Sequence, residues 1–476
     1  MADTGNVVRV ESASPPVGGL DRFFKISERG STVRIEIVAG ITTWLTMAYI
    51  LFVNPAILGF AGIPDLQALG LPFAQVLTVT ALVAGVMTIL MGVVANYPFA
   101  LAAGLGLNAF VAFSLVAANG LSFPQAMGVI VVEGLLITVL VLTGVREAIL
   151  NAIPMDLKRA IGIGIGAFIA LIGLVNAGVV TNTGATPLSL AGELTTWPIG
   201  VFVVEFALSA ALVARRVKGA LLIGIVVSTV LAVIVNEAKD LSIWGNGIAA
   251  IPDGVVDTPD FGLVGAFSFD FFSVLGTATA LAVVLSVMLS DFFDTMGTVI
   301  GLGGEMKMLD ANGRLPGIKR VLLVDSLAAA AGGAAGVSSN TSYIESASGV
   351  GEGARTGLAS VVTGLLFLGA IFLAPLVVMI PAQAAVPALV LVGFLMMQQV
   401  KGIDWDDLEI AIPAFLTIVL MPFTYSITVG IGAGFVTYVF IKLLRGKAPE
   451  VHPLLWAVAA AFVVYFAIGP ITGWLT

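Results

Sequence analysis

Long apolar stretches separated by short polar runs fill this chain from about residue 31 to its end. A membrane-spanning helix needs about 20 mainly apolar residues. By that yardstick the first half holds spans at about Ile35–Ile57, Ala74–Val94, Ala126–Leu142, Ala160–Val180, Ile199–Ala214 and Ala220–Val235, with a Gly-rich stretch, Pro98–Leu115, after the second. A polar connector, Asn236–Phe269, is the longest loop and contains no soluble domain. The second half runs through about Phe271–Leu302, Val321–Gly336, a Gly/Ser-rich stretch at Val337–Gly353, Leu358–Met379, Ala384–Gln398, Ile410–Phe423 and Ile427–Leu444. A last apolar run, Leu454–Ile468, makes a fifteenth segment unless two earlier runs form one broken helix or it lies flat.

The halves echo each other. Each has a long helix, a second helix, a short Gly-rich segment, a fourth helix and then an Ile-Pro step, at Ile153-Pro154 and Ile380-Pro381, before closing on a tight helix pair. Short Gly-interrupted segments at matching places in two halves point to the binding site of a transporter. Here they are Leu101–Leu115 and Val337–Gly353. Broken backbone is tolerated at membrane depth only where it is buried in protein or lines a cavity. Seven segments per half make the repeats inverted, because an odd number flips the topology. The expected organisation is a tail (1–30), a first repeat (31–236), an extracytoplasmic connector (237–270), a second repeat (271–446) and a C-terminal apolar segment (447–476).

Basic residues agree with that topology. Arg146, Lys158, Arg159, Arg215, Arg216, Lys218, the run from Lys307 to Arg320, and Lys442, Arg445 and Lys447 all follow even-numbered segments. The positive-inside rule then puts the N-terminus in the cytoplasm. The tail carries eight charges and no apolar core region, so it reads as a short, partly disordered solvated leader rather than a signal peptide.

Composition closes off other classes. The 476 residues are 59% hydrophobic and 11% charged, and the mean hydropathy is +1.09. A globular surface cannot be that apolar, so the chain is an all-α polytopic membrane protein. Its net charge of -8 says little about orientation. With no cysteine and the single histidine His452 in a late connector, thiolate chemistry and a His-rich metal site are excluded. The glycine-rich strings lack a Walker lysine, so they are not phosphate loops. No cofactor is expected.

Charge at membrane depth is costly and marks function by default. Asp291 and Asp294 lie in LAVVLSVMLSDFFDTMGTVIGLGG, three residues apart and on nearly one helix face. Such a pair can divide labour, one held by local donors and the other facing a cavity. A carboxyl in a dry pocket is a candidate proton carrier, since burial disfavours its charged form. Glu345 follows an alternating polar run, Ser-Ser-Asn-Thr-Ser, that suits a short extended segment. Small residues after it suit a close-packed half-helix with a positive N-terminal end. A carboxylate there can accept two N–H donors from a planar ligand. Asn108, at the matching place in the first half, could read a heterocycle edge or equally hold the two Gly-rich segments together. Phe110, Phe292, Phe293, Tyr343 and Trp44 are candidates to stack on a flat ligand. Glu133, Glu205 and Asp325 stand alone in apolar runs, and interhelical hydrogen bonding is the favoured reading for the first two. Glu352 and Arg355 are placed to pair at a cytoplasmic edge.

Four runs carry a family resemblance. Ile35–Ile50 with Phe52-Val53-Asn54-Pro55, Gly104–Phe110, Asp291–Thr298 and Ser342–Gly357 resemble motifs of AzgA-like adenine/guanine/hypoxanthine permeases of the nucleobase–ascorbate (nucleobase/cation symporter-2) superfamily. Trp44 stands where many relatives have Phe. The resemblance covers nearly the whole chain after the tail. It implies fourteen helices in two inverted seven-helix repeats. A core domain (segments one to four and eight to eleven) would hold the substrate, and a gate domain (five to seven and twelve to fourteen) would make a homodimer. It also implies proton-coupled purine uptake at an inner (plasma) membrane, with Asn108, Asp291, Asp294 and Glu345 as the important positions. On this reading Glu345 and Asp291 bind the purine edge, Asp294 tunes or carries the proton, and Asn108 completes the site. Phe110, Phe293 and Tyr343 flank the base. The expected partners are a purine nucleobase, the lipid bilayer and a second copy of the chain, with no nucleic acid. The rivals are a uracil, xanthine or anion transporter of the same fold, which for anions would need a basic residue near the half-helices, and an intramembrane enzyme using the three carboxyls.

Overall fold

The computed structural model describes residues 18–61, 63, 65–143, 153–181, 188–239, 243–244, 247–308 and 315–475, apart from the side chains of 239, 293, 296, 297, 300, 301 and 468–475. Residues 1–17 of the tail, Arg146 and Arg314 lie outside that set. Backbone groups in hydrocarbon must bond within the protein, and the apolar runs accordingly form helices. Among the described residues, nine are long and apolar enough to cross a membrane.

In chain order the main elements are α1 (Gly19–Phe24), α2 (Val33–Met47), α3 (Ile50–Leu58), α4 (Phe73–Leu90), β1 (Leu101–Ala103), α5 (Leu105–Ala109), α6 (Phe123–Thr143), α7 (Met155–Asn176), α8 (Trp197–Ala214) and α9 (Ala220–Lys239). The second half adds α10 (Thr277–Glu305), α11 (Ile318–Ala334), β2 (Asn340–Ser342), α12 (Ser346–Gly351), α13 (Gly357–Ala370), α14 (Pro387–Met397), α15 (Leu408–Thr424), α16 (Ile427–Leu444) and α17 (Pro453–Leu475). The first apolar run is broken at Ala48–Tyr49, between α2 and α3. α5 continues as a π-helical stretch over Phe110–Ala118. Both Gly-rich segments are an extended piece followed by a half-helix, as the polar alternation before Glu345 suggests. The final apolar run is one helix, α17, packed on α16 and touching α10.

Helices fall into two groups. α2 to α6 pack with α10 to α13, and α7 to α9 pack with α14 to α16. Small residues let backbones approach, which is how helices associate in lipid. Within the first group α13 lies almost against the backbone of α4: a methyl on Gly364 would stand 2.5 Å from the Gly85 carbonyl oxygen. Within the second, a methyl on Gly393 of α14 would stand 2.4 Å from the Gly166 carbonyl of α7.

The centre of the first group is an antiparallel pairing of β1 with β2, in the register Leu101↔Ser342, Ala102↔Thr341 and Ala103↔Asn340. It is extended at either end by Gly104 N–H to the Ser339 carbonyl (2.9 Å) and Tyr343 N–H to the Ala100 carbonyl (2.9 Å). All six strand residues are buried.

Two expectations change. The tail is not a solvated leader over residues 18–30: Phe24 and Ile26 pack on Leu358, Arg29 donates to the carbonyls of Asn96 (2.5 Å) and Arg355 (3.0 Å), and its guanidinium lies 5.0 Å over the Tyr97 ring. Glu352 does not pair with Arg355. It pairs with Lys218 of the α8–α9 turn, while the Arg355 guanidinium is taken by the carbonyls of Val350 and Ala354. The connector is laid over helix ends, with Ala249 N–H on the Met379 carbonyl and Gly265 N–H on the Ala334 carbonyl (2.8 Å each).

The close α4–α13 approach gives a test. Gly364→Ala should lower the thermal midpoint of the detergent-purified protein, because backbone on both helices must shift, a cost of about 1–3 kcal/mol. Gly369→Ala, on the same helix with open space around it, should leave the midpoint unchanged or raise it. Equal midpoints for the two variants in a fluorescence melting series would contradict the packing.

Candidate functional site

The two half-helices and α10 converge on a cavity of about 80 Å³. Its wall includes Tyr49, Gly104 to Leu107, Ser290, Asp294, Thr298 and Thr341 to Glu345 from the first group. The second group contributes Ile165, Ile169, Val392 and Met396. The cavity continues into a wider vestibule of about 510 Å³ that passes Ile161 and Gly162 and ends at Lys158 and Gln399. Further along α7 the seam between the groups is shut. There Phe168 meets the Tyr425 ring at 5.8 Å, Phe113 meets it at 6.3 Å, and Ser114 Oγ donates to the Tyr425 carbonyl at 2.6 Å.

The sequence candidates divide. Glu345, Asp294 and Tyr343 stand on the wall. Asp291 is buried behind it and accepts from Ser339 Oγ at 3.2 Å. Three residues along a helix is an offset of about 60° and 4.5 Å, enough to turn Asp294 to the cavity and Asp291 toward the strand. Asn108 sits on α5, fully buried and off the wall, and its side-chain amide finds no hydrogen-bond partner among the described residues. Phe110 is buried at the start of the π-helical stretch, also off the wall. The side chain of Phe293 lies outside the described residues. Trp44 faces a separate apolar groove with Leu222, Val226 and Leu376. Phe292 is buried and off the wall.

Two residues that sequence reasoning did not single out for the site organise it. Tyr49 donates its hydroxyl to Glu345 Oε1 at 2.5 Å. It stands on the wall at the two-residue interruption between α2 and α3. Asp325 on α11 gathers three donors: Thr295 Oγ1 (2.7 Å), Ser342 N–H (2.9 Å) and Ser342 Oγ (2.8 Å). Thr295 also meets Thr341 Oγ1 at 2.8 Å. One carboxylate thereby ties α10, α11 and β2 together. The Tyr343 hydroxyl donates to the Ala103 carbonyl, pinning its ring beside the strand crossing. Asp294 lies within electrostatic reach of both Asp325 and Glu345.

The wall therefore offers hydrogen-bond acceptors, hydroxyls and two aromatic rings, Tyr49 and Tyr343, on one side, and aliphatic surface on the other. Such a wall suits an uncharged planar ligand with N–H donors along an edge. Among the described residues no group of His, Asp and Glu is arranged to hold a metal ion. The Asp325 clamp predicts that Asp325→Ala lowers the thermal midpoint more than Glu345→Gln does. It strands several buried donors at about 1–3 kcal/mol each, whereas Glu345 loses one partner at the cavity. A melting series on the two purified variants checks the order.

Comparison with known proteins fits this geometry. The Permease family model (Xan_ur_permease) matches residues 34–433. The chain is 41% identical over 448 residues to the adenine permease AdeP of Escherichia coli (strain K12), covering 94% of this chain and 96% of that protein. It is 39% identical over 450 residues to the guanine/hypoxanthine permease PbuG of Bacillus subtilis (strain 168), covering 93% and 98%. Among solved structures it is similar to the transmembrane domain of the cyanobacterial bicarbonate transporter BicA, at TM-score 0.56 and 14% identity over 84% of this chain and 97% of that one. It is also similar to the murine anion transporter Slc26a9 in its inward-facing state, at TM-score 0.61 and 11% identity over 87% and 68%. At such identities these two likenesses concern the fold alone.

Proposed function

This chain belongs to the permease family, and from that premise we propose that it takes up purine nucleobases (adenine, guanine or hypoxanthine) together with protons, by alternating access. It is a transporter rather than an enzyme, as the permeases named among its relatives are. The observation that carries the substrate reading is the placement of Glu345, Asp294 and Tyr343 on one side of a small cavity at the half-helix crossing. Glu345 accepts an N–H from the base, Tyr343 flanks its face, and Asp294 completes the edge or takes the proton. Asp291 and Asn108 support the wall from behind. The seating of Asp291 on Ser339 favours giving the cavity-facing role to Asp294, whereas the reading from the family resemblance set Asp291 on the purine edge.

Proton coupling is supported by chemistry. Asp294, Asp325 and Glu345 are close enough to interact, and carboxyls in that position exchange protons as a coupled set. The remainder of the reading is a cytoplasmic N-terminus in an inner membrane, two inverted seven-segment repeats and a homodimer through the second helix group. Under that orientation the vestibule at Lys158 and Gln399 opens inward. The anion reading is disfavoured by the wall itself, where two carboxyls face the cavity and the only lysine lining the vestibule, among the described residues, is at its far mouth.

The test is uptake of labelled nucleobases in cells lacking their own purine carriers, with and without a proton gradient, sodium being replaced in a parallel series. Purines should compete and nucleosides should not. Stronger competition by uridine or sulfate than by any purine would sink the proposal. On purified protein, Glu345→Gln should weaken binding about ten- to a hundredfold, the effect of losing one charge-assisted hydrogen bond. Unchanged affinity would remove Glu345 from the ligand contacts. Asp294→Asn should keep substrate counterflow or lose it, but in either case lose gradient-driven accumulation. Asp291→Asn should impair both through the strand. Gradient-driven accumulation by Asp294→Asn at the wild-type level would show that the proton is handled elsewhere.

A further inference from the structure

Tyr49 is fully buried at the α2–α3 break, lines the cavity, and donates its hydroxyl to Oε1 of Glu345 at 2.5 Å. Among the described residues, no other side chain donates to this carboxylate. We propose that Tyr49 is a specificity-determining residue: by occupying one of the two oxygens of Glu345, it makes the site favour bases that present a single N–H at that edge over bases that present two adjacent donors. The inference rests on the reading that Glu345 accepts an N–H from the base.

A carboxylate with both oxygens open matches two parallel donors. The Tyr49 hydroxyl, 2.5 Å from Oε1, takes an acceptor position of that oxygen and competes with a second ligand donor there, which leaves Oε2 the more open oxygen. Hypoxanthine, with one ring N–H on its pyrimidine edge, gains all that the carboxylate offers. Guanine carries the same ring N–H beside an exocyclic amine. Its amine is desolvated on entry without a matching acceptor, and an unmade buried hydrogen bond is costly. Tyr49 is well fixed for this role. Phe52 and Val53 N–H groups both bond its carbonyl, at 3.0 Å each, and its ring belongs to the main apolar core. Its hydroxyl has no other partner among the described residues, so its one polar interaction is spent on the carboxylate.

The test measures binding of guanine and hypoxanthine to purified wild type, Tyr49→Phe and Glu345→Gln, with folding of each checked by size-exclusion elution and thermal melting. Tyr49→Phe keeps the ring and frees Oε1, so the guanine-to-hypoxanthine affinity ratio should rise about tenfold, the effect of one added charge-assisted hydrogen bond. A purely structural tyrosine would move both affinities together and leave the ratio alone. If the ratio changes by less than about twofold while Glu345→Gln loses both ligands, the role given to Tyr49 is wrong and the Glu345 contact stands. If Glu345→Gln binds both bases as wild type does, the contact itself fails, and this inference with it. Should Tyr49→Phe not fold, the wild type still decides. Its 2-amino group should bring guanine no advantage, and a preference of about tenfold or more for guanine over hypoxanthine would overturn the proposal.

Discussion

The antiparallel pairing of Leu101–Ala103 with Asn340–Ser342 is the interaction on which the rest depends. Extended backbone has no internal hydrogen bonds, and hydrocarbon offers none, so each unpaired group at that depth would cost several kcal/mol. Two segments from opposite halves of the chain satisfy each other over three register pairs and two flanking bonds. Neither could stay extended without its partner. Because both are held there, α5 and α12 start from opposite ends of one short ladder, and residues at their starts line one cavity. The helix packing outside serves this crossing: α3, α4, α10 and α11 contact its strands, and Asp325 holds β2 to α10 and α11 through three donors.

Carboxyls in such a place need explanation, and each has one of two kinds. Asp325 is fully engaged by hydroxyls and an N–H, the way buried charge is made tolerable. Glu345 and Asp294 are less completely engaged and face the cavity. Glu205 is a further case, buried in α8 with Ser209 Oγ at 2.7 Å on one oxygen and no partner on the other among the described residues. It lies between α8 and α9, away from the cavity wall, and belongs to the packing of that helix pair.

The sequence carried the architecture well because the solvent is simple. In lipid, apolar length means helix, and Gly-rich interruption means cavity-lining backbone, so the spans and both broken segments were legible. So were Glu345 and Asp294, since ionisable residues in apolar runs are conspicuous. Tyr49 was not, because a tyrosine in AYILFVNP reads as ordinary packing, and the carboxylate it meets lies 296 positions away. Asp325 shows no role in sequence, because its partners lie 17 and 30 residues distant on other elements. The opposite error concerned Glu352 and Arg355. Nearness in sequence suggested a pair, but the chain end of α12 brings Glu352 to Lys218 and turns Arg355 into carbonyls. Asn108 on α5 and Phe110 at the start of the π-helical stretch are buried off the wall, a placement that a five-residue helix cannot encode by periodicity.

The cavity is chemically one-sided, and that has a consequence for movement. Every hydroxyl and carboxyl side chain on its wall comes from the first helix group, at Tyr49, Ser290, Asp294, Thr298 and the run Thr341 to Glu345. The second group offers Ile165, Ile169, Val392 and Met396. A ligand recognised by hydrogen bonds to one group alone keeps them while the other slides past. The sliding surface exchanges aliphatic contacts, which are non-directional and similar at many offsets, and Met396 can repack as it passes. Had the second group supplied a hydrogen bond, each cycle would break it in the dark of a low-dielectric site, at a cost of the order of 1–3 kcal/mol. Directional recognition on one side and smooth apolar surface on the other let a single site be held tightly and still be opened to either face.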